Sequence, residues 1–209
     1  MRTWLLRHSL PLLLPVMLIS TQALAQSRPA HLDPDPWKDP ARIVQLFQIT
    51  RGSHVAAMGS GSLALLPALS KAAGKAGKVY LVDNDPTIVE AIRTRIESKK
   101  LTNVTAILSQ GDRLELPSKV GTMVMVNVLH HLEDRGKFLD QVKTSLAPGG
   151  IVVVIDYYKR RMKVGPPVKE RVASSTALRE AGRHGFRLIR RHRVLANQYF
   201  FVFGPKKPA

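Results

Sequence analysis

From Trp37 onward the chain alternates between short, nearly continuous apolar runs and longer segments whose apolar residues recur every three or four positions. The runs "HVAAM" (54–58), "KVYLVD" (78–83), "NVTAIL" (103–108), "TMVMVNV" (122–128) and "IVVVID" (151–156) predict strands buried on both faces. Helices are predicted in "SLALLPALSKAAG" (62–74), "TIVEAIRTRIESKK" (87–100) and "RGKFLDQVKTSL" (135–146). Punctuation agrees: Gly74 ends the first, Asp85-Pro86 supplies an N-cap and first-turn proline for the second, and Pro148-Gly149-Gly150 stops the third. A short amphipathic helix in "WKDPARIVQLFQI" (37–49) precedes them behind Asp39-Pro40. Strands alternating with helices imply a doubly wound α/β sheet, mainly parallel. The end of the chain departs from that rhythm. Helix-like "SSTALREAGRHG" (174–185) is followed by "FRLIRRHRVL" (186–195) and "QYFFVF" (198–203), two strand-like runs joined too closely for a crossover and therefore antiparallel.

The first 25 residues follow a different logic. Arg2 and Arg7 flank the start, "LPLLLPVMLI" is apolar, and Ala23 to Ala25 place small residues where a leader is cut. A secretory signal peptide over 1–25 is expected, with a proline-rich lead-in at 26–36 and one domain over 37–205. The apolar run is about half the ~20 residues a spanning helix needs and holds Pro11 and Pro15, which disfavours an uncleaved membrane anchor. The expected location is periplasmic or secreted. The absence of cysteine excludes disulfides, thiolate nucleophiles and cysteine metal sites.

Charge adds a second feature. The 209 residues carry a net +17, or +15 without Arg2 and Arg7. From Ile151 to Ala209 there are fourteen Lys and Arg against three acids, a net +11. A solvated surface accounts for such a balance, and so does a face that attracts anionic lipid, a polyanion or an acidic substrate.

Candidate chemistry clusters where the predicted strands end. Gly59, Ser60 and Gly61 form a glycine loop between a strand and a helix N-terminus, suited to close approach of a ligand and to an anionic group. Asp83, with Asn84 beside it, ends the second strand 22 residues after Gly61, where a carboxylate can accept both hydroxyls of a ribose. Asp112 follows the third strand and suits either an exocyclic amine or an Asx turn. Asn127, His130 and His131 follow the fourth, where a substrate meets a cofactor in this topology, and one imidazole there can act as a base or orient a substrate. Adjacent histidines diverge and no acid completes a ligand set, so no metal is expected. The dinucleotide fingerprint fails because position 64 is Ala where a third glycine belongs.

In this order, the loop, the strand-end acid and "GD…LP" resemble the class I S-adenosylmethionine-dependent methyltransferases, over about residues 37 to 203. The resemblance rests further on "GKVYLVDNDP", "LTNV", "HHLED…FL", "LAPGG", "GPP…R" and "GF…QYFFVF". It implies a Rossmann-like, seven-stranded sheet, mostly parallel with an antiparallel last strand. It also implies S-adenosyl-L-methionine as cofactor: Gly59 and Gly61 by its methionine part, Asp83 at the ribose, Asp112 at the adenine, and Asn127 near the transferred methyl. Three positions depart from the family: Ala57 stands for a common acid, Leu63 for a third glycine and Gly121 for a frequent acid. The expected activity is methyl transfer to an unidentified acceptor from a divergent site. The alternative is a non-catalytic protein on the same fold that engages an anionic partner through its basic C-terminal region. No specific nucleic acid is expected as partner.

Overall fold

The structure is a computed structural model that describes residues 39–207; the expected signal segment and the lead-in lie outside the described residues. The elements are α1 (Pro40–Gln45), β1 (His54–Met58), a 3-10 turn (Ser60–Leu65), α2 (Leu66–Ala73), β2 (Lys78–Asp83), α3 (Pro86–Ser98) and β3 (Val104–Leu108). They continue with β4 (Val120–Val126), α4 (Arg135–Ser145), β5 (Leu146–Tyr157), α5 (Ser174–Arg183), β6 (Phe186–His192) and β7 (Gln198–Pro205). One seven-stranded sheet has the order β3-β2-β1-β4-β5-β7-β6. The first five strands pair in parallel, and β7 runs antiparallel to both β5 and β6. The doubly wound sheet and its antiparallel last strand are as the sequence leads one to expect.

The nearly continuous apolar runs are explained by covering both faces. Along β4, Val124 and Val126 join Phe47, Leu66, Leu69 and Ile92 in the layer under α1, α2 and α3. Met123 and Met125 point the other way, into a layer with Phe138 and Val142 of α4 and Ala177 of α5. Successive strand side chains alternate between faces, so a strand covered on both sides has no polar position to spare. Met123 and Met125 are fully buried core residues.

Local chemistry sets the helix starts. Asp39 accepts from the Arg42 N–H at 3.0 Å and Asp85 from the Thr87 N–H at 2.8 Å, each with proline in the first turn that follows. α1 delivers Phe47 onto Phe200 of β7, edge to face with ring centroids 5.7 Å apart.

The structure corrects three boundaries. The single helix expected over 62–74 is a 3-10 turn followed by α2, because Pro67 has no N–H and clashes with the preceding turn. β5 begins at Leu146, so Pro148 to Gly150 lie within a bulged strand, where proline is tolerated. β4 starts at Val120, two residues earlier than expected. Between β3 and β4 the described chain forms no helix, and buried Leu114 packs against the α4 side of the sheet in its place.

Phe200 is fully buried and touches both Phe47 and His192. Phe200→Ala is expected to lower unfolding stability by about 3–5 kcal/mol, read from urea denaturation; a loss below about 1 kcal/mol would show that Phe200 is not tightly packed between β7 and Phe47.

Candidate active site

In this topology the strand order reverses between β1 and β4, and the crevice outside their carboxyl ends is where ligands bind. A cleft of about 730 Å³ opens there. Its walls include Gly59, Asp83, Asn84, Asp112 and Asn127, brought together from the ends of β1, β2, β3 and β4.

Gly59 turns the chain out of β1 with φ +82° and ψ 152°, a conformation open to glycine alone. A Cβ there would meet the Val126 carbonyl oxygen at 2.5 Å, so the loop lies directly on the end of β4. Gly61 is buried and does not line the cleft; a Cβ on it would sit 2.5 Å from Val126 Cγ1. Ser62 locks the turn by donating to the Met58 carbonyl at 2.8 Å. Ser60 lies between them in the 3-10 turn.

Asp83 ends β2 at the cleft, and its Oδ1 accepts from the Asp85 N–H at 3.0 Å. Burial pushes its carboxyl above the ordinary range, and the Asp85 charge adds to this, against the pull of the Asp85 and Asn84 N–H groups. Asn84 is exposed beside it. Asp112 accepts from the Glu133 N–H at 3.2 Å, so it braces the loop after β4 across the cleft instead of only turning its own chain. Its loop is held from α4: Gln141 donates to the Asp112 carbonyl and accepts from the Leu114 N–H, both at 3.1 Å.

Asn127 follows β4 with φ +57°, an uncommon conformation for a residue with a side chain. It is buried, its Oδ1 accepts from Gln198 at 2.7 Å, and its Nδ2 is a buried donor with no partner. That nitrogen points at the glycine loop, 3.4 Å from the Cβ position of Gly61.

His130 stands behind the cleft wall. Its side chain is 1% exposed and its Nδ1 lies 3.0 Å from Asp156, a fully buried carboxylate at the end of β5. Asp156 also accepts from the N–H groups of Leu129 (3.0 Å) and Tyr157 (2.8 Å). Of the two imidazoles expected as a base or a substrate-orienting group, His131 lines the cleft, whereas His130 is buried against Asp156 and does not. Neither Asp156 nor Gln198 stood out in the sequence, because an acid ending an apolar strand and a lone glutamine carry no motif.

The divergent positions do not face the cleft. Ala57 is fully buried in the layer under α1 to α3, Leu63 packs against the same layer, and Gly121 lies beside Ser53 at the opposite end of the sheet. None narrows the cavity. Among the described residues no cluster of His, Asp and Glu is arranged to hold a metal ion.

Residues 55–150 match the family described as a methyltransferase domain. The fold matches the crystal structure of an S-adenosylmethionine-dependent methyltransferase from Aquifex aeolicus, with 27% identity, a TM-score of 0.75, and 80% of this chain and 90% of that one covered. These matches support a class I S-adenosylmethionine-dependent methyltransferase. Two curated relatives match over shorter stretches. One is a ubiquinone/menaquinone biosynthesis C-methyltransferase of Hydrogenovibrio crunogenus, 27% identical over 125 residues, 59% of this chain and 48% of that protein. The other is a protein-L-isoaspartate O-methyltransferase of Methanococcoides burtonii, 34% identical over 71 residues, 34% of this chain and 35% of that protein. The chain thus spans about half or less of the curated relatives it matches. Their names specify carbon in one and oxygen in the other, so likeness to methyltransferases leaves the acceptor atom open.

The residues of the methyltransferase cleft fit its family's cofactor, S-adenosylmethionine. A strand-end carboxylate, a glycine turn no side chain could follow, and an unpartnered buried amide donor stand around one cavity.

Two outcomes follow. The folded state holds the Asp83 proton more tightly than the unfolded chain, so stability is lost as pH rises from the ordinary 3.8 through the raised folded value. Without ligand, Asp83→Asn should match the parent below that range and exceed its melting temperature at neutral pH; equal neutral melting temperatures would refute this. Asp156→Ala leaves the Leu129 N–H and His130 Nδ1 without their acceptor and should cost about 3–5 kcal/mol, measured by calorimetry.

Proposed function

We propose that this methyltransferase domain transfers a methyl group from S-adenosylmethionine to an acceptor bound in the cleft. The observation that carries the reading is the convergence of Gly59, Asp83, Asp112 and Asn127 on one cavity at the point where strand order reverses. When bound, the sulfonium cofactor supplies an electrophilic methyl that an in-line nucleophile displaces.

The chain's own contribution is binding and alignment. In this reading Asp83 accepts the ribose hydroxyls, Asn84 borders them, and Asp112 stands on the adenine side. The loop Gly59-Ser60-Gly61 brings backbone close to the methionine part. Asn127 stands in the wall with its amide held by Gln198 and turned to the glycine loop. His131 stands on the acceptor's side of the wall, and no residue is assigned as a base. Proton removal by the enzyme is needed only for an acceptor that must be deprotonated to react.

The environment of Asp83 supports this use. A carboxylate that burial disfavours gains from hydroxyl donors, which replace the water it has lost. Binding is then strongest above the raised Asp83 titration and weakens below it. Ala57 and Leu63 do not oppose the reading, since neither side chain lines the cavity.

A second reading is compatible with the first: the basic C-terminal region engages an anionic partner. It is supported by the chain after Glu180, which carries Arg183, Arg187, Arg190, Arg191, Arg193, Lys206 and Lys207 and not one acid.

Titration calorimetry of S-adenosylmethionine and its demethylated product into the purified chain tests the first reading. Binding should weaken about ten- to a hundredfold in Asp83→Ala, the loss of a charge-assisted contact. Equal affinity of parent and variant, or no binding by the parent, would reject it.

A further inference from the structure

β6 is an edge strand, and most of its side chains are exposed: Arg187, Leu188, Ile189, Arg190 and Arg191 all face solvent. Leu188 is 39% exposed and Ile189 44%, and Val194 in the turn that follows is 52% exposed. Arginines and three large apolar side chains thus share one exposed edge of the sheet. On α5 and α4, Glu180 is already engaged by Arg135 at 2.7 Å and Asp140 by His184 at 2.9 Å. No acid on β6, β7 or the turn between them offsets the charge.

A polyanion explains the arginines but gains nothing from Leu188, Ile189 and Val194. A bilayer with anionic head groups uses both, because phosphates take the guanidinium groups while apolar side chains enter the acyl boundary. The position of this edge gives the contact a purpose. Because β7 is antiparallel to both neighbours, the carboxyl end of β6 lies on the same rim of the sheet as the cleft. Arg160 donates to the Ala196 carbonyl at 2.7 Å and Tyr158 N–H to the Asn197 carbonyl at 3.1 Å, which fastens the 193–197 turn to the chain leaving β5. The next residue, Gln198, holds Asn127 in the cleft wall.

We propose that β6 and the turn through Val194 dock on an anionic lipid bilayer and bring the rim of the cleft toward the membrane. The inference rests on the reading that the basic C-terminal region has an anionic partner, and it names that partner as lipid.

The chain has no cysteine, so Val194→Cys and Lys99→Cys each accept one environment-sensitive fluorophore; Lys99 caps α3 beside the opposite edge strand. Labelled full-length chain is titrated with phosphatidylglycerol vesicles, phosphatidylcholine vesicles and mixed-sequence duplex DNA. The expected result is a blue shift at position 194 on phosphatidylglycerol alone, none at position 99, and about a hundredfold more lipid needed by Arg187→Gln/Arg190→Gln/Arg193→Gln. A shift independent of lipid charge, or of equal size at both positions, overturns the proposal. Salt-sensitive DNA binding without a lipid shift overturns it too, while the broader reading of an anionic partner stands. Binding to neither phosphatidylglycerol nor DNA overturns both.

Discussion

The cleft depends on one buried carboxylate. Asp156 lies near the end of β5, out of reach of water, and takes hydrogen bonds from Leu129, His130 and Tyr157. A carboxylate in such a place is costly unless its oxygens are satisfied, so the loop after β4 cannot move away without stranding it. The Asn127 N–H adds a bond to the Ile155 carbonyl at 2.8 Å, so two successive β5 residues hold the same segment. Asn127 keeps its positive φ under that restraint, and Gly59 can then lie on the Val126 carbonyl. One side of the cavity is fixed in this way, and the ends of β2 and β3 supply the other.

Much of this was legible in the sequence because the physics is local and periodic. β1 and β2 coincide with their apolar runs, and Asp85-Pro86 marks the start of α3 by capping chemistry that needs only adjacent residues. Gly59, Asp83, Asp112 and Asn127 were legible for another reason: in a doubly wound sheet, position after a strand determines position at the cleft. Failures came where the deciding contact is distant. His130 and His131 are indistinguishable in sequence, and only Asp156, 26 residues on, determines which faces inward. Gln198 is 71 residues from the amide it orients.

The divergent residues belong to the same lesson. Ala57 and Leu63 look like losses in a motif, yet in the folded chain they fill the apolar layer beneath α1 and α2. The acid-free C-terminal stretch reads as one basic block in sequence. The fold divides it between a buried β7 and an exposed β6, and only the second leaves arginine and aliphatic side chains in solvent together.

The missing helix between β3 and β4 has a mechanical consequence. Leu114 supplies the burial such a helix would have supplied, but a lone side chain does not hold a loop in place. Gln141 does so, gripping the backbone on both sides of Arg113 through one amide group. The Asp112 wall is therefore hung from α4, which also carries Phe138 at the back of the cavity. Any tilt of α4 changes the width of the cleft and the placing of Asp112 together, and the two sides of the site behave as one lever.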